Sequence, residues 1–244
     1  MSHTTQRRGL DPNHPGKELI VLAMIPSQYK DVSGIGGAMS ELATKMLEHG
    51  PNNWLSRNFT EIKVPNLGPA QGPVHWMHKY WPDATSRLLM RVVGHLSSVV
   101  TALYTDPRKV VALIEDLRGD WLARNREKGY PISLALSALV SDVHDCCQKT
   151  GFKEHTYLHS LGFFGKVHDL PSEEELGLIT MCGHGLIATN RVRYLVEKIQ
   201  RGQTSPQEAA EDIARPCVCG LVNRERAQEI FQRLARSRVP AYKA

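Results

Sequence analysis

The most apolar stretch of the chain, Leu19-Ile20-Val21-Leu22-Ala23-Met24-Ile25, lacks the polar alternation of a half-exposed strand and predicts a strand buried on both faces. A polar loop containing Ser33-Gly34-Ile35-Gly36-Gly37 follows, and a helical pattern then runs over residues 38–49. This is a strand, glycine loop, helix unit. Its glycine spacing matches neither the dinucleotide fingerprint nor the P-loop, and no Lys-Ser/Thr closes it, so a packing turn is expected rather than a phosphate cradle. Residues 51–73 hold clustered turn chemistry, including Pro65-Asn66-Leu67-Gly68-Pro69, around one strand-like run at 60–64. From Ala84 the apolar positions Leu88, Leu89, Val92, Val93, Leu96, Val99, Val100 and Leu103 recur at helical spacing. Asp106-Pro107 is a cap and first-turn proline for a second helix reaching Arg118, and residues 132–149 predict a third.

In the C-terminal third, Pro171-Ser172-Glu173-Glu174-Glu175 opens a helical turn before a strand-like Leu178-Ile179-Thr180-Met181. Residues 186–200 read as a helix ended by Gly202. Ser205-Pro206 with Glu208 starts a short helix through Ala214, and Asn223 caps a last helix whose apolar stripe is Ala227, Ile230, Phe231 and Leu234. The expected fold is mainly α with a small β-sheet, of α/β or α+β type. It has an N-terminal strand–glycine loop–helix unit, a helical middle and a C-terminal helical hairpin. The expected organisation is a flexible arm over residues 1–16, a mixed α/β and helical core over 17–150 and a cysteine- and histidine-rich cluster-binding region over 151–244 within the same globular unit.

Composition changes this picture little. At 244 residues and 41% hydrophobic content the chain can bury a core without staples. The formal charge of +5 comes from 30 basic and 25 acidic residues with no sustained basic run, so no nucleic-acid partner is expected. The run from Leu19 to Ile25 is far shorter than the roughly 20 residues of a membrane span. The first residues carry no apolar signal core, and five cysteines is an odd number, which together favour reduced thiols in a cytoplasm.

Candidate chemistry lies in two turns, Met181-Cys182-Gly183-His184-Gly185 and Pro216-Cys217-Val218-Cys219-Gly220. Thiolates are soft ligands, glycines let backbone amides approach sulfur, and a helix start favours the thiolate. Residues 183–216 between the two cysteine turns are long enough for an antiparallel helix pair that would return the second turn to the first. Cys182, Cys217 and Cys219 form the three-thiolate set of a 4Fe-4S cluster with one open iron. Adding His184 would instead close a Cys3His zinc site in a structural or regulatory module. The set resembles the aconitase-type hydro-lyases in ligand number, which implies an iron–sulfur lyase acting on a small polar substrate by elimination, hydration or sulfur removal.

Residues Met181 to Gly185 also resemble the catalytic-cysteine loop of the proline racemase family. That resemblance implies a metal-free thiol enzyme in which Cys182 moves a proton alpha to a carboxylate. The second cysteine loop of that family is of Asp-x-x-x-Cys-Gly type, where this chain has Cys-x-Cys-Gly. For proton transfer, His184, His155, His159 and His168 are the expected groups, His155 and His159 being four apart and so on one face of a helix. His75 and His78 flank Trp76 in a proline-bounded turn. Cys146 and Cys147 point about 100° apart on a helix and read as packing. Arg191, Arg193 and Arg201 offer charge for a substrate carboxylate or a solvated helix face.

Overall fold

The structure is a computed structural model that describes residues 9–55, 57, 77, 79–154, 164–217 and 219–237. It is mainly helical with one four-stranded antiparallel sheet, hence α+β. The strand-like run at 60–64 lies outside the described residues, as do His75, His78, His155 and His159. The chain forms two compact units, one from residues 12–154 with 218–221, the other from residues 1–11, 155–217 and 222–244.

In the sheet unit, β1 (Leu19–Met24) is central and fully enclosed by pairing, with β3 (Val99–Tyr104) on one side and β4 (Ser133–Ser137) on the other. The short β2 (Asn53–Trp54) completes the order β2-β3-β1-β4. Leu22 faces Thr101 in one neighbour and Ala135 in the other. Because side chains alternate across a strand, Leu19, Val21 and Ala23 share one face, and that face meets α1 (Ile35–Glu48) through Met39, Leu42, Ala43 and Met46. The helix α2 (Pro82–Leu96) contributes Met90 to this core, and α3 (Pro107–Asp116) contributes Val110 and Leu113. A π-type turn at Leu117–Trp121 leads into α4 (Leu122–Glu127), and α5 (Val140–Thr150) follows β4.

Two segments expected to be single helices are each divided between a helix and a strand. The periodic run expected to be one helix over 84–103 breaks at Leu96, and Val99-Val100-Thr101 turns into β3. The segment 132–149 likewise divides into β4 and α5. In both places apolar residues that fit a helical wheel are also a short run beside β1, and the ladder of backbone hydrogen bonds to that strand decides the outcome.

The helical unit contains α6 (Glu173–Ile179), α7 (Thr189–Gln200), α8 (Pro206–Ala214) and α9 (Arg224–Arg236). The strand expected at 178–181 is instead the end of α6 and the loop after it. The reason is the reciprocal cap at the start: Ser172 Oγ accepts from the Glu175 amide at 3.2 Å, while the Ser172 amide donates to Glu175 Oε2 at 2.8 Å. That cap commits the following residues to a helix, and among the described residues no strand pairs with them. The helix expected over 186–200 begins at Thr189, and the caps and apolar stripe expected after it agree with the structure. Ser205 and Glu208 form a second capping box, Asn223 Oδ1 accepts from the Arg226 amide at 3.1 Å, and Ala227, Ile230, Phe231 and Leu234 are buried.

Candidate thiolate site in the helical unit

The loop between α6 and α7 carries Cys182, and its position is set by the helices at its two ends. The Glu175 carboxylate that caps α6 also accepts from Arg193 Nε of α7 at 2.6 Å. One carboxylate thus ties the start of α6 to the second turn of α7. Burial alone would push the Glu175 carboxyl up, but the Arg193 guanidinium and the Ser172 amide and hydroxyl more than offset this and hold it below the usual carboxylate range. Within the loop the Gly185 amide donates to the Cys182 carbonyl at 3.0 Å, closing a turn in which Gly185 takes a φ of 68°. A residue with a side chain resists that left-handed backbone. Met181 and Ile187 anchor the loop in the interior on either side.

The return path is equally defined. Gly202, at a φ of 68°, ends α7, with the Gln203 amide donating to the Lys198 carbonyl at 2.9 Å. Arg191 of α7 grips Asp212 of α8 through Nε at 2.8 Å and Nη2 at 2.6 Å. After α8 the Cys217 amide donates to the Ala214 carbonyl at 3.0 Å, turning the chain inward. The hairpin brings Cys217 to Cys182, and the two thiols share a hydrogen bond. That bond is the main reason the Cys182 thiol sits far below the ordinary thiol range. Burial opposes it, while the amides of Leu186 and His184 and the charge of His184 favour the anion. Both sulfur residues are only 2% exposed, so neither meets bulk solvent.

Cys219 belongs to the sheet unit, two residues along the chain from Cys217. Its carbonyl accepts a hydrogen bond from the Thr101 hydroxyl of β3. The glycine beside it has a structural task unrelated to sulfur. At Gly220, where φ is 67°, a Cβ atom would lie 1.9 Å from the Trp54 carbonyl oxygen.

His184 is exposed, and it serves Cys182 first through its backbone amide and then through the charge of its ring. His168 is exposed on a short turn at Val167–Asp169, with Nε2 3.4 Å from Asp169. Arg193 and Arg191 are engaged by Glu175 and Asp212, and Arg201 pairs with Glu197 at 3.4 Å, so the arginine set reads as helix bracing. Cys146 is buried and pushed up to about 11 by desolvation and then by Asp142. Burial, followed by the Glu154 carboxylate, also pushes Cys147 up. Both stay protonated at neutral pH, in contrast to Cys182.

Two relationships were not read from the sequence. One is the Glu175–Arg193 brace, whose acid was legible as a capping residue but whose partner lies across the loop. The other is a His144–Glu154 contact at 2.5 Å with Cys147 against the same carboxylate. The helical spacing of His144 and Cys147 was the available signal.

Among the described residues no three His, Cys, Asp or Glu side chains are gathered as a ready metal cage. What the helical unit assembles is a two-sulfur donor set with one sulfur already favoured as the anion, which is the chemistry soft metals and clusters take. No protein-family model, curated protein or solved structure matches the chain.

Proposed function

We propose that the chain is an iron–sulfur protein in which Cys182, Cys217 and Cys219 are the ligands of a 4Fe-4S cluster with one open iron, serving a lyase-type reaction on a small polar substrate. The observation that carries this reading is the buried hydrogen-bonded pair of Cys182 and Cys217. Ligand thiols must lose their protons before they bind metal, and a site that stabilises the anion beforehand lowers that cost. Amides aimed at sulfur, as those of His184 and Leu186 are, also tune clusters once bound. Cys219 enters as third ligand from its place two residues after Cys217. A bound cluster would supply a Lewis-acidic iron for elimination, hydration or sulfur removal. The residues of this chain would hold the ligand sulfurs, exclude water from them and, through exposed His184, present a proton donor beside them.

The burial of both sulfurs favours a ligand role over a nucleophile, because a nucleophile must be reached by substrate. The working compartment on this reading is a reducing one such as the cytoplasm. Among the described residues no helix is long and apolar enough to cross a membrane.

Anaerobic reconstitution of the full chain with ferrous iron and sulfide is the test. The expected result is about four irons per chain, with the broad visible absorption of thiolate-bound iron. Uptake of a single zinc in place of iron would establish the Cys3His structural module, and uptake of neither metal would leave Cys182 as a metal-free thiol.

A further inference from the structure

The helix α2 buries one side and leaves the other bare. Ser86, Met90 and Gly94 lie on its buried side, with Gly94 closed against Met39, Ser40 and Ala43 of α1. On the exposed side, Trp81 is 55%, Leu88 50%, Val92 46% and Leu96 80% accessible. With 100° between successive helical residues, Leu88, Val92 and Leu96 fall into a single row along the helix, and Trp81 stands at its N-cap. A second row, Arg87, Arg91 and His95, runs beside it at i, i+4, i+8, and all three residues are exposed. Among the described residues neither Arg87 nor Arg91 is engaged in an ion pair. The one acid of the helix, Asp83, lies in the first turn, four residues before Arg87 and so at the N-terminal end of the cationic row. An exposed row of large apolar side chains costs solubility and is retained mainly where something covers it.

We propose that this side of α2 is a docking surface for an acidic amphipathic helix of another protein. The apolar row, about 12 Å from Leu88 to Leu96, matches the anchors of a partner helix at i, i+4, i+7. The row Arg87, Arg91, His95 pairs with a row of carboxylates at the same pitch on that partner. A second copy of this chain fits worse: an antiparallel two-fold pairing of α2 with α2 sets the arginine rows against each other, and a parallel one sets each arginine row against the half-buried Leu89 and Val93 flank, which offers no carboxylate. An anionic bilayer also fits worse. An interfacial helix carries cations along both edges of its apolar face, whereas here the second edge is formed by half-buried Leu89 and Val93.

The test uses the full-length protein and two labelled synthetic helices of about 18 residues, alike in their leucine row and differing only in whether glutamates or lysines flank it. Fluorescence anisotropy should show the glutamate helix binding at least about tenfold more tightly than the lysine helix, with affinity falling as salt rises. Leu88→Ser with Val92→Ser should lose most of the binding, and Arg87→Glu with Arg91→Glu should reverse the preference between the two helices. All four positions are exposed, and unchanged thermal unfolding of the variants checks that they fold. Equal binding of both helices, no binding of either, or unaffected binding by the variants would overturn the proposal. It would be overturned equally by sedimentation with vesicles of about 30% phosphatidylserine that depends on Leu88, or by a dimer that Leu88→Ser dissociates.

Discussion

The thiol of Cys217 donates a hydrogen bond to the sulfur of Cys182, joining two turns that stand at opposite ends of the α7–α8 hairpin. A buried thiol would ordinarily hold its proton more tightly than a free one. Here the neighbouring S–H and two backbone amides outweigh burial, so the anion is the favoured form of Cys182. Cys146 and Cys147 lack such donors and are shifted in the opposite direction.

The contrast separates the cysteines by experiment. Cys182→Ser and Cys217→Ser should each abolish cluster assembly during anaerobic reconstitution, and Cys219→Ser should do the same. Cys146→Ser and Cys147→Ser should retain full iron content, because their thiols remain protonated and serve packing. Iron and sulfide analysis per chain reads the result, and full iron in any of the first three variants removes that residue from the ligand set.

His184 acts on Cys182 chiefly through its backbone amide, which a side-chain substitution leaves in place, and less through the charge of its ring. His184→Ala should therefore keep the metal bound. Turnover, once a substrate is assigned, should fall by about 10²- to 10⁴-fold, the usual contribution of a general acid or base. Loss of metal in this variant, with one tetrahedral zinc in the unaltered protein, would identify His184 as a fourth ligand.

Glu175 carries a pH dependence. Its folded-state pKa is depressed, so the stability it contributes is fully present above the unfolded value of about 4.3 and is lost as pH falls through the lower folded value. Glu175→Gln keeps a side chain able to close the capping box but removes the charge that Arg193 meets. The expected loss at neutral pH is about 1–2 kcal/mol, below the figure for a fully buried pair because the Arg193 side chain is 37% exposed. Urea unfolding followed from pH 7 downward should show the variant and the unaltered protein converging below about pH 4. A constant difference across that range would count against the ion pair.

Gly220→Ala should destabilise the protein by about 2–4 kcal/mol, combining left-handed backbone strain with the collision against the Trp54 carbonyl. Calorimetry or urea titration measures it. If the glycine served only to open space around a cluster, the metal-free protein would be unaffected by the change.

Local chemistry was legible in the linear chain wherever neighbours in sequence are also neighbours in space. The caps of α8 and α9, the glycine end of α7, the enclosed β1 and the apolar stripe of α9 all follow from residues within a few positions of each other. The cysteine turns were legible as a motif for the same reason. What sequence could not decide was whether a short apolar run is helix or strand, as at Val99–Tyr104 and Ser133–Ser137, because a strand exists only through the partner that completes its hydrogen bonds. Nor could it show that Cys182 is a favoured anion while Cys146 is not. That distinction rests on which donors surround each sulfur after folding, and the decisive one, Cys217, arrives by way of two helices and the braces Arg191–Asp212 and Glu175–Arg193. The need for glycine at 220 is likewise tertiary, since only the approach of the Trp54 backbone forbids a side chain there.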